Sequence, residues 1–237
     1  HATVVSDNGI AIGNGAYVAA AYQGAPTQGI AIGYGAKATA KDSIVIGNGA
    51  HTAGAGKYAT AIGNNAYASK GATAVGNYTS SLGKYSTAVG DDASANESFA
   101  TAFGARAYAG AVSATAIGAS AHATGGFSSA FGYLARANGN GAVARGADSL
   151  ANGSGRIKAL GSDALSLYIT HALSSATGGF IAGNGAVNLQ AGSLANAGQV
   201  YAGGDLAVTS GGALDNRNGA LQAMGALTAS AAGKLDN

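Results

Sequence analysis

The chain has no cysteine and no tryptophan, and only one proline and one methionine among 237 residues. Without cysteine there is neither a disulfide framework nor a thiolate metal site. The single proline argues against a collagen-like or polyproline chain, although glycine is abundant at 41 residues. Bulk is scarce too: five phenylalanines leave little for a broad globular core, and alanine supplies much of the 47% hydrophobic fraction. Charged residues make up 9%, with 12 basic against 10 acidic, too balanced to imply a nucleic-acid groove. No apolar run is long enough to cross a bilayer as a helix, and no signal-peptide pattern opens the chain. The first residues already lie inside a periodic pattern. The sequence therefore reads as a piece of something longer, with targeting or anchoring segments elsewhere.

What is present is repetition. Alanine, one larger apolar residue and glycine recur along the chain, and the larger residue is Ile12, Ile32, Ile46, Ile62, Val75, Val89, Phe103, Ile117 and Phe131. Steps of 20, 14, 16 and 13 residues separate the first five, and the step is fourteen from Val75 onward. Arg145 and Leu160 continue the series less regularly. Such an internal period governs the fold class. Fourteen residues are too few for a βαβ unit but suit a coil of two short strands and two tight turns. Coils of this kind stack by backbone hydrogen bonding at about 4.8 Å, giving an all-β parallel solenoid.

Each repeat divides into two extended segments. The second alternates alanine with a changeable residue: Ala93 and Ala95 flank Ser94, Ala107 and Ala109 flank Tyr108, Ala121 and Ala123 flank His122, and Ala135 and Ala137 flank Arg136. That alternation predicts a strand with one covered and one open face. In the first segment Thr60, Thr73, Thr87, Thr101 and Thr115 precede the apolar residue by two and share its face, with Ser129 continuing the column. The intervening alanines face the other way. A strand that is small or apolar on both sides expects cover on both, one side from the coil interior and the other from a partner. Homo-oligomerisation meets that need.

The many copies of Ala-[Ile/Val/Phe]-Gly followed by small-residue segments, over residues 10–150, resemble the head region of the YadA-like trimeric autotransporter adhesins. The resemblance implies a left-handed parallel β-roll and a homotrimer made with two identical chains. It also implies display on the outer membrane of a Gram-negative bacterium and attachment to a host matrix protein or cell-surface receptor. The membrane is reached only through an anchor outside these residues, and no nucleic acid is involved. The pattern departs at AAAYQGAPTQG, an excursion containing Pro26, and again at 139–161, where Arg145 replaces the larger apolar residue. Beyond it, SLAN, ALDN and KLDN place Leu194, Leu214 and Leu235 about twenty residues apart, with Leu206 and Leu227 between them. This stretch resembles filamentous-haemagglutinin repeats, a β-helix or β-prism building block of large secreted adhesins. The expected division is a β-roll head over 1–151, modified coils or a junction over 152–188, and haemagglutinin-like repeats over 189–237. Asn216 and Asn237 are expected in turns, satisfying backbone groups.

Candidate exterior contacts are Tyr67, Arg106, Tyr108, His122, Tyr133 and Arg136, with Lys37 and His51 on similar polar positions. The apolar series from Ile32 to Phe131 is a structural ladder. Adhesion through such a surface rests on many weak contacts multiplied by copy number rather than on a deep pocket. No catalytic, cofactor-binding or metal site is expected. His1, His51, His122 and His171 are dispersed, Asp91–Asp92 reads as a solvated turn, and the glycine segments lack the Lys-Ser/Thr of a phosphate loop. Three glycosylation triplets begin at Asn77, Asn96 and Asn152. Two rival functions are a stalk that presents another binding domain and an ice-binding solenoid using the threonine ladder. The apolar neighbours of those threonines predict that they are at least partly buried.

Overall fold

The computed structural model describes residues 1–6, 8–19, 28–53, 57–137, 143–152, 156–159, 162 and 164–237. The expected Pro26 excursion and the Leu160 position lie outside the described residues. All described strands pair in parallel, and no helix occurs among the described residues. The chain divides into two compact units, 1–120 and 121–237.

In the first unit each coil gives one strand to each of two parallel sheets. The first sheet stacks strands such as Thr60–Ile62, Thr73–Val75, Thr87–Val89 and Thr101–Phe103; the second stacks Tyr67–Ala68, Ser80–Ser81, Ser94–Ala95 and Tyr108–Ala109. Register is strict: Thr73 pairs with Thr60 and Thr87, Ala74 with Ala61 and Ala88, and Val75 with Ile62 and Val89. The alanines point inward from both sheets, and Ala61, Ala74, Ala88, Ala68, Ala95 and Ala109 are fully buried. A side chain of one carbon lets two sheets approach closely enough for a fourteen-residue coil to close. At Ser86, where serine replaces alanine inside, the hydroxyl finds a partner: Ser86 Oγ donates to Gly83 O at 2.7 Å and lies 2.6 Å from Ser81 Oγ.

The glycine after each apolar residue is a geometric requirement. Gly104 has φ +131°, and a Cβ there would lie 2.7 Å from the carbonyl carbon of Gly118 in the next coil. Only hydrogen fits between successive coils at that corner. Each coil also places a residue in the left-handed region at its turns, including Asn65, Asp92 and Arg106 on one edge and Tyr58, Tyr85 and Phe99 on the other.

The second unit begins with the same narrow pattern, His122–Ala123 pairing with Arg136–Ala137 and Ser129 with Val143. Its coil then widens. Long strands Leu165–Ser175 and Val187–Asn196 pair with each other, and a separate sheet stacks Arg156–Ala159, Phe180–Gly183, Gln199–Ala202 and Ala220–Ala223. The interior changes from alanine to branched aliphatics, with Leu165, Leu167, Ile181, Val187, Leu189, Leu206 and Val208 buried together. Leu194, Leu214 and Leu235 fall in one column and Leu206 pairs with Leu227. Asn196, Asn216 and Asn237 form an amide ladder, each Nδ2 donating to the next Oδ1 at 2.7 Å. The expectation that Asn216 and Asn237 serve backbone groups is thereby corrected: coils of 20 and 21 residues bring the amides directly over one another.

Candidate adhesion surface

Because alanine fills most of the interior, with Val18, Val45, Thr52 and Thr79 as larger buried members, most other large side chains of the first unit face outward, and the strand or turn decides which surface each joins. Four surfaces result.

The outer face of the first sheet carries the apolar ladder beside the threonine column. Ile32 pairs with Ile46, Ile46 with Ile62, Val89 with Phe103 and Phe103 with Ile117, each one coil apart. The threonines at 60, 73, 87, 101 and 115 are half-buried and in register along the same face. Ile44, Ile46, Phe103 and Ile117 remain exposed in the single chain, Phe103 at 53%. The outward positions from Ile10 to Ile117 include no charged residue. In the second unit Ser129 and Phe131 hold the corresponding strand positions, with Phe131 exposed.

The outer face of the second sheet carries the changeable column. Lys37, His51 and Tyr67 are in register, followed by Ser80, Ser94 and Tyr108. The His51 and Tyr67 rings meet at 4.8 Å between centroids, and the Tyr108 hydroxyl accepts from Asn96 Nδ2 at 3.2 Å. Tyr67 and Tyr108 are thus half-buried by their neighbours rather than freely projecting. His122, half-buried, pairs in register with exposed Arg136 within the second unit.

Arg106 and Tyr133 do not join this column. Both lie on the turn that follows the apolar residue, Arg106 with φ +57° and its backbone N–H donating to Asp91 O at 2.8 Å. On that same edge Asn64 Nδ2 donates to Asn77 Oδ1 and Asn77 Nδ2 to Asp91 Oδ1, at 3.0 and 2.9 Å. The six candidate contacts therefore occupy two different surfaces. All three glycosylation-triplet asparagines already donate from Nδ2 to a side-chain oxygen, Asn77 to Asp91, Asn96 to Tyr108 and Asn152 to Ser175.

The opposite turn holds residues that the alanine-centred period passed over. Lys41, Lys57, Lys70 and Lys84 each stand three residues before the first residue of a strand of the first sheet. The repeat spacing was enough to find them.

Among the described residues the clear electrostatic shift is at the Asp215–Arg217 pair. Asp215 accepts from Arg217 Nη2 at 2.6 Å and Nε at 3.0 Å, and this bidentate contact lowers its pKa from 3.8 to about 2. An open notch of about 700 Å³ runs along the turns at Thr177–Phe180, Ala197–Gln199 and Asn218–Ala220. No ionisable side chain lines it. Among the described residues no three His, Asp or Glu side chains converge.

The family model "YadA head domain repeat (2 copies)" matches residues 27–50, 55–79, 70–93, 81–107 and 109–135. No curated protein matches the chain.

Proposed function

With residues 27–135 identified as a YadA-like head of a trimeric autotransporter adhesin, we propose that this chain is a bacterial surface adhesin fragment attaching its cell to host matrix, cells or other surfaces. The observation that carries the reading is the uncharged outer face of the first sheet. A continuous array of exposed and half-exposed isoleucine, valine and phenylalanine needs cover, and the in-register threonines leave it flat enough for a copy of itself. Three identical chains burying this face against one another form the proposed assembly. The changeable column and the turns then look outward, where Tyr67, Tyr108, His122 and Arg136 on strands and Arg106 and Tyr133 on turns act as weak, multiplied contacts.

In this reading 1–151 is the head, 152–188 a junction and 189–237 a haemagglutinin-like continuation. The assembly stands on a Gram-negative outer membrane through an anchor outside these residues. Burial of the half-exposed threonine column within the proposed trimer argues against the ice-binding alternative, and the purified protein should show no thermal hysteresis. Sedimentation equilibrium tests the assembly first: a trimer is expected, and a monomer at high concentration would refute it. Binding to immobilised collagen, fibronectin, laminin and glycans tests attachment. Silence on every surface would replace the adhesive head by a passive spacer.

A further inference from the structure

The turn opposite Arg106 carries a second ordered array. Tyr58 N donates to Lys41 O, Gly71 N to Lys57 O, Tyr85 N to Lys70 O and Phe99 N to Lys84 O, at 2.8 to 3.0 Å. Lys41 and Lys57 also form a parallel bridge. Four lysines on consecutive coils are thus held in register, spaced by the parallel-strand repeat of about 4.8 Å. Lys57, Lys70 and Lys84 are exposed, and among the described residues none of the four has an ion-pair partner. Like charges stacked this way repel and add nothing to the fold.

Beside each lysine the chain takes a left-handed backbone conformation. Gly71 meets it without strain, yet Tyr58, Tyr85 and Phe99 adopt it at φ 58°, 58° and 61° and remain exposed. Bulky residues in that region are costly. Neither the lysines nor these aromatics contribute to the alanine interior. Both features suit a ligand that is anionic, linear and able to lie against ring faces.

We propose that Lys41, Lys57, Lys70 and Lys84, with Tyr58 and Tyr85, form a docking stripe for a linear anionic polysaccharide of the sulfated glycosaminoglycan kind. The inference names a ligand class for the attachment proposed above and rests on that reading, although each chain carries a whole stripe. One coil advances by about the same distance as one pyranose ring of a linear glycan, so charges on successive sugars meet successive lysines. Sugar C–H faces lie on the tyrosine rings while the ammonium groups take the sulfates or carboxylates. The Tyr85 and Phe99 rings pack on each other at 5.7 Å and Lys84 Nζ stands 5.1 Å from the Tyr85 centroid, so Tyr58, 66% exposed, offers the freer ring.

The test is equilibrium binding of a heparin dodecasaccharide to the whole chain across a salt series. Lys57→Gln/Lys70→Gln should weaken binding by about tenfold or more and flatten its salt dependence, since fewer counterions are released. Lys158→Gln/Lys234→Gln removes equal charge from the second unit, outside the stripe, and should leave binding within about twofold. Tyr58→Gly/Tyr85→Gly relieves the backbone while deleting the rings, so weaker binding with an unchanged circular dichroism spectrum supports direct contact. Equal losses in the two charge variants, absent heparin binding at physiological salt, or equally tight binding of single-stranded DNA would each overturn the stripe. Attachment of the parent chain to matrix proteins without any heparin binding refutes the stripe alone; failure of the parent to attach to any surface refutes the adhesin reading.

Discussion

Replacing Phe103 by aspartate tests the oligomeric face at its largest exposed ring. Phenylalanine can bury roughly 200 Å², and 53% of Phe103 is still exposed in the isolated chain. Covering the remaining ~100 Å² is worth about 2.5 kcal/mol per chain at 25 cal/mol per Å². Three chains each losing that contribution give ~7.5 kcal/mol, a fall of about five decades in the trimer association constant. Aspartate adds three carboxylates to a face that has no basic residue to receive them, so the loss should be larger still. Within the single chain the site is an outward strand position between Val89 and Ile117, so the β-roll itself should persist. Sedimentation equilibrium should show a trimer for the parent and a monomer for the variant at equal micromolar concentration, with matching far-ultraviolet spectra. A variant that stays trimeric would place the interface elsewhere.

Gly104→Ala forces a methyl toward the Gly118 carbonyl at φ +131°. The backbone cost alone is about 1–3 kcal/mol, and the thermal midpoint should fall by several degrees in a calorimetric scan. Asn216→Ala deletes the middle of the amide ladder and leaves the buried Asn196 Nδ2 with only its long 3.4 Å bond to Ala220 O. A loss of about 1–3 kcal/mol is expected from the denaturant midpoint. Asp215 should titrate near pH 2 by carbon-detected NMR, and Arg217→Ala should return it toward 3.8. Because its folded pKa is depressed, any stability it supplies is complete above about pH 4 and lost as pH falls through about 2. Both side chains are substantially solvent-exposed, so the effect on unfolding should be small.

Much of the first unit was legible because its constraints repeat. A column seen at Ala93 and Ala107, or at Val89 and Phe103, is a chemical requirement restated in every coil, and strict register turns sequence spacing into spatial adjacency. The same logic was weaker in the second unit, where the coil changes width and the interior changes from Ala144 to Leu165 and Leu167. The asparagine ladder was half visible. Its members close SLAN, ALDN and KLDN, but a turn asparagine ordinarily bonds its own backbone. Only stacked coils show that another asparagine is the nearer partner. Among the candidate contacts, spacing identified outward positions but could not separate strand from turn. Arg106 follows Gly104 by two residues, and only its left-handed backbone assigns it to the turn edge.

The lysine column shows why a period anchored on apolar residues hides part of a repeat's chemistry. Lys57, Lys70 and Lys84 keep the phase of Thr60, Thr73 and Thr87, yet their coils hold tyrosine, glycine and tyrosine at the next position. Such variation looks like an ordinary loop when each turn is read alone. Stacking gives it meaning, because a parallel coil preserves side-chain position while tolerating any residue that reaches solvent. Interior and oligomeric faces therefore converge on alanine and on uncharged apolar residues, and charge can collect only on turns and on the changeable column. Of the six basic residues in the first unit, four occupy one turn column. The basic charge of the first unit is therefore concentrated on the edge of the roll that the proposed assembly leaves open to a ligand.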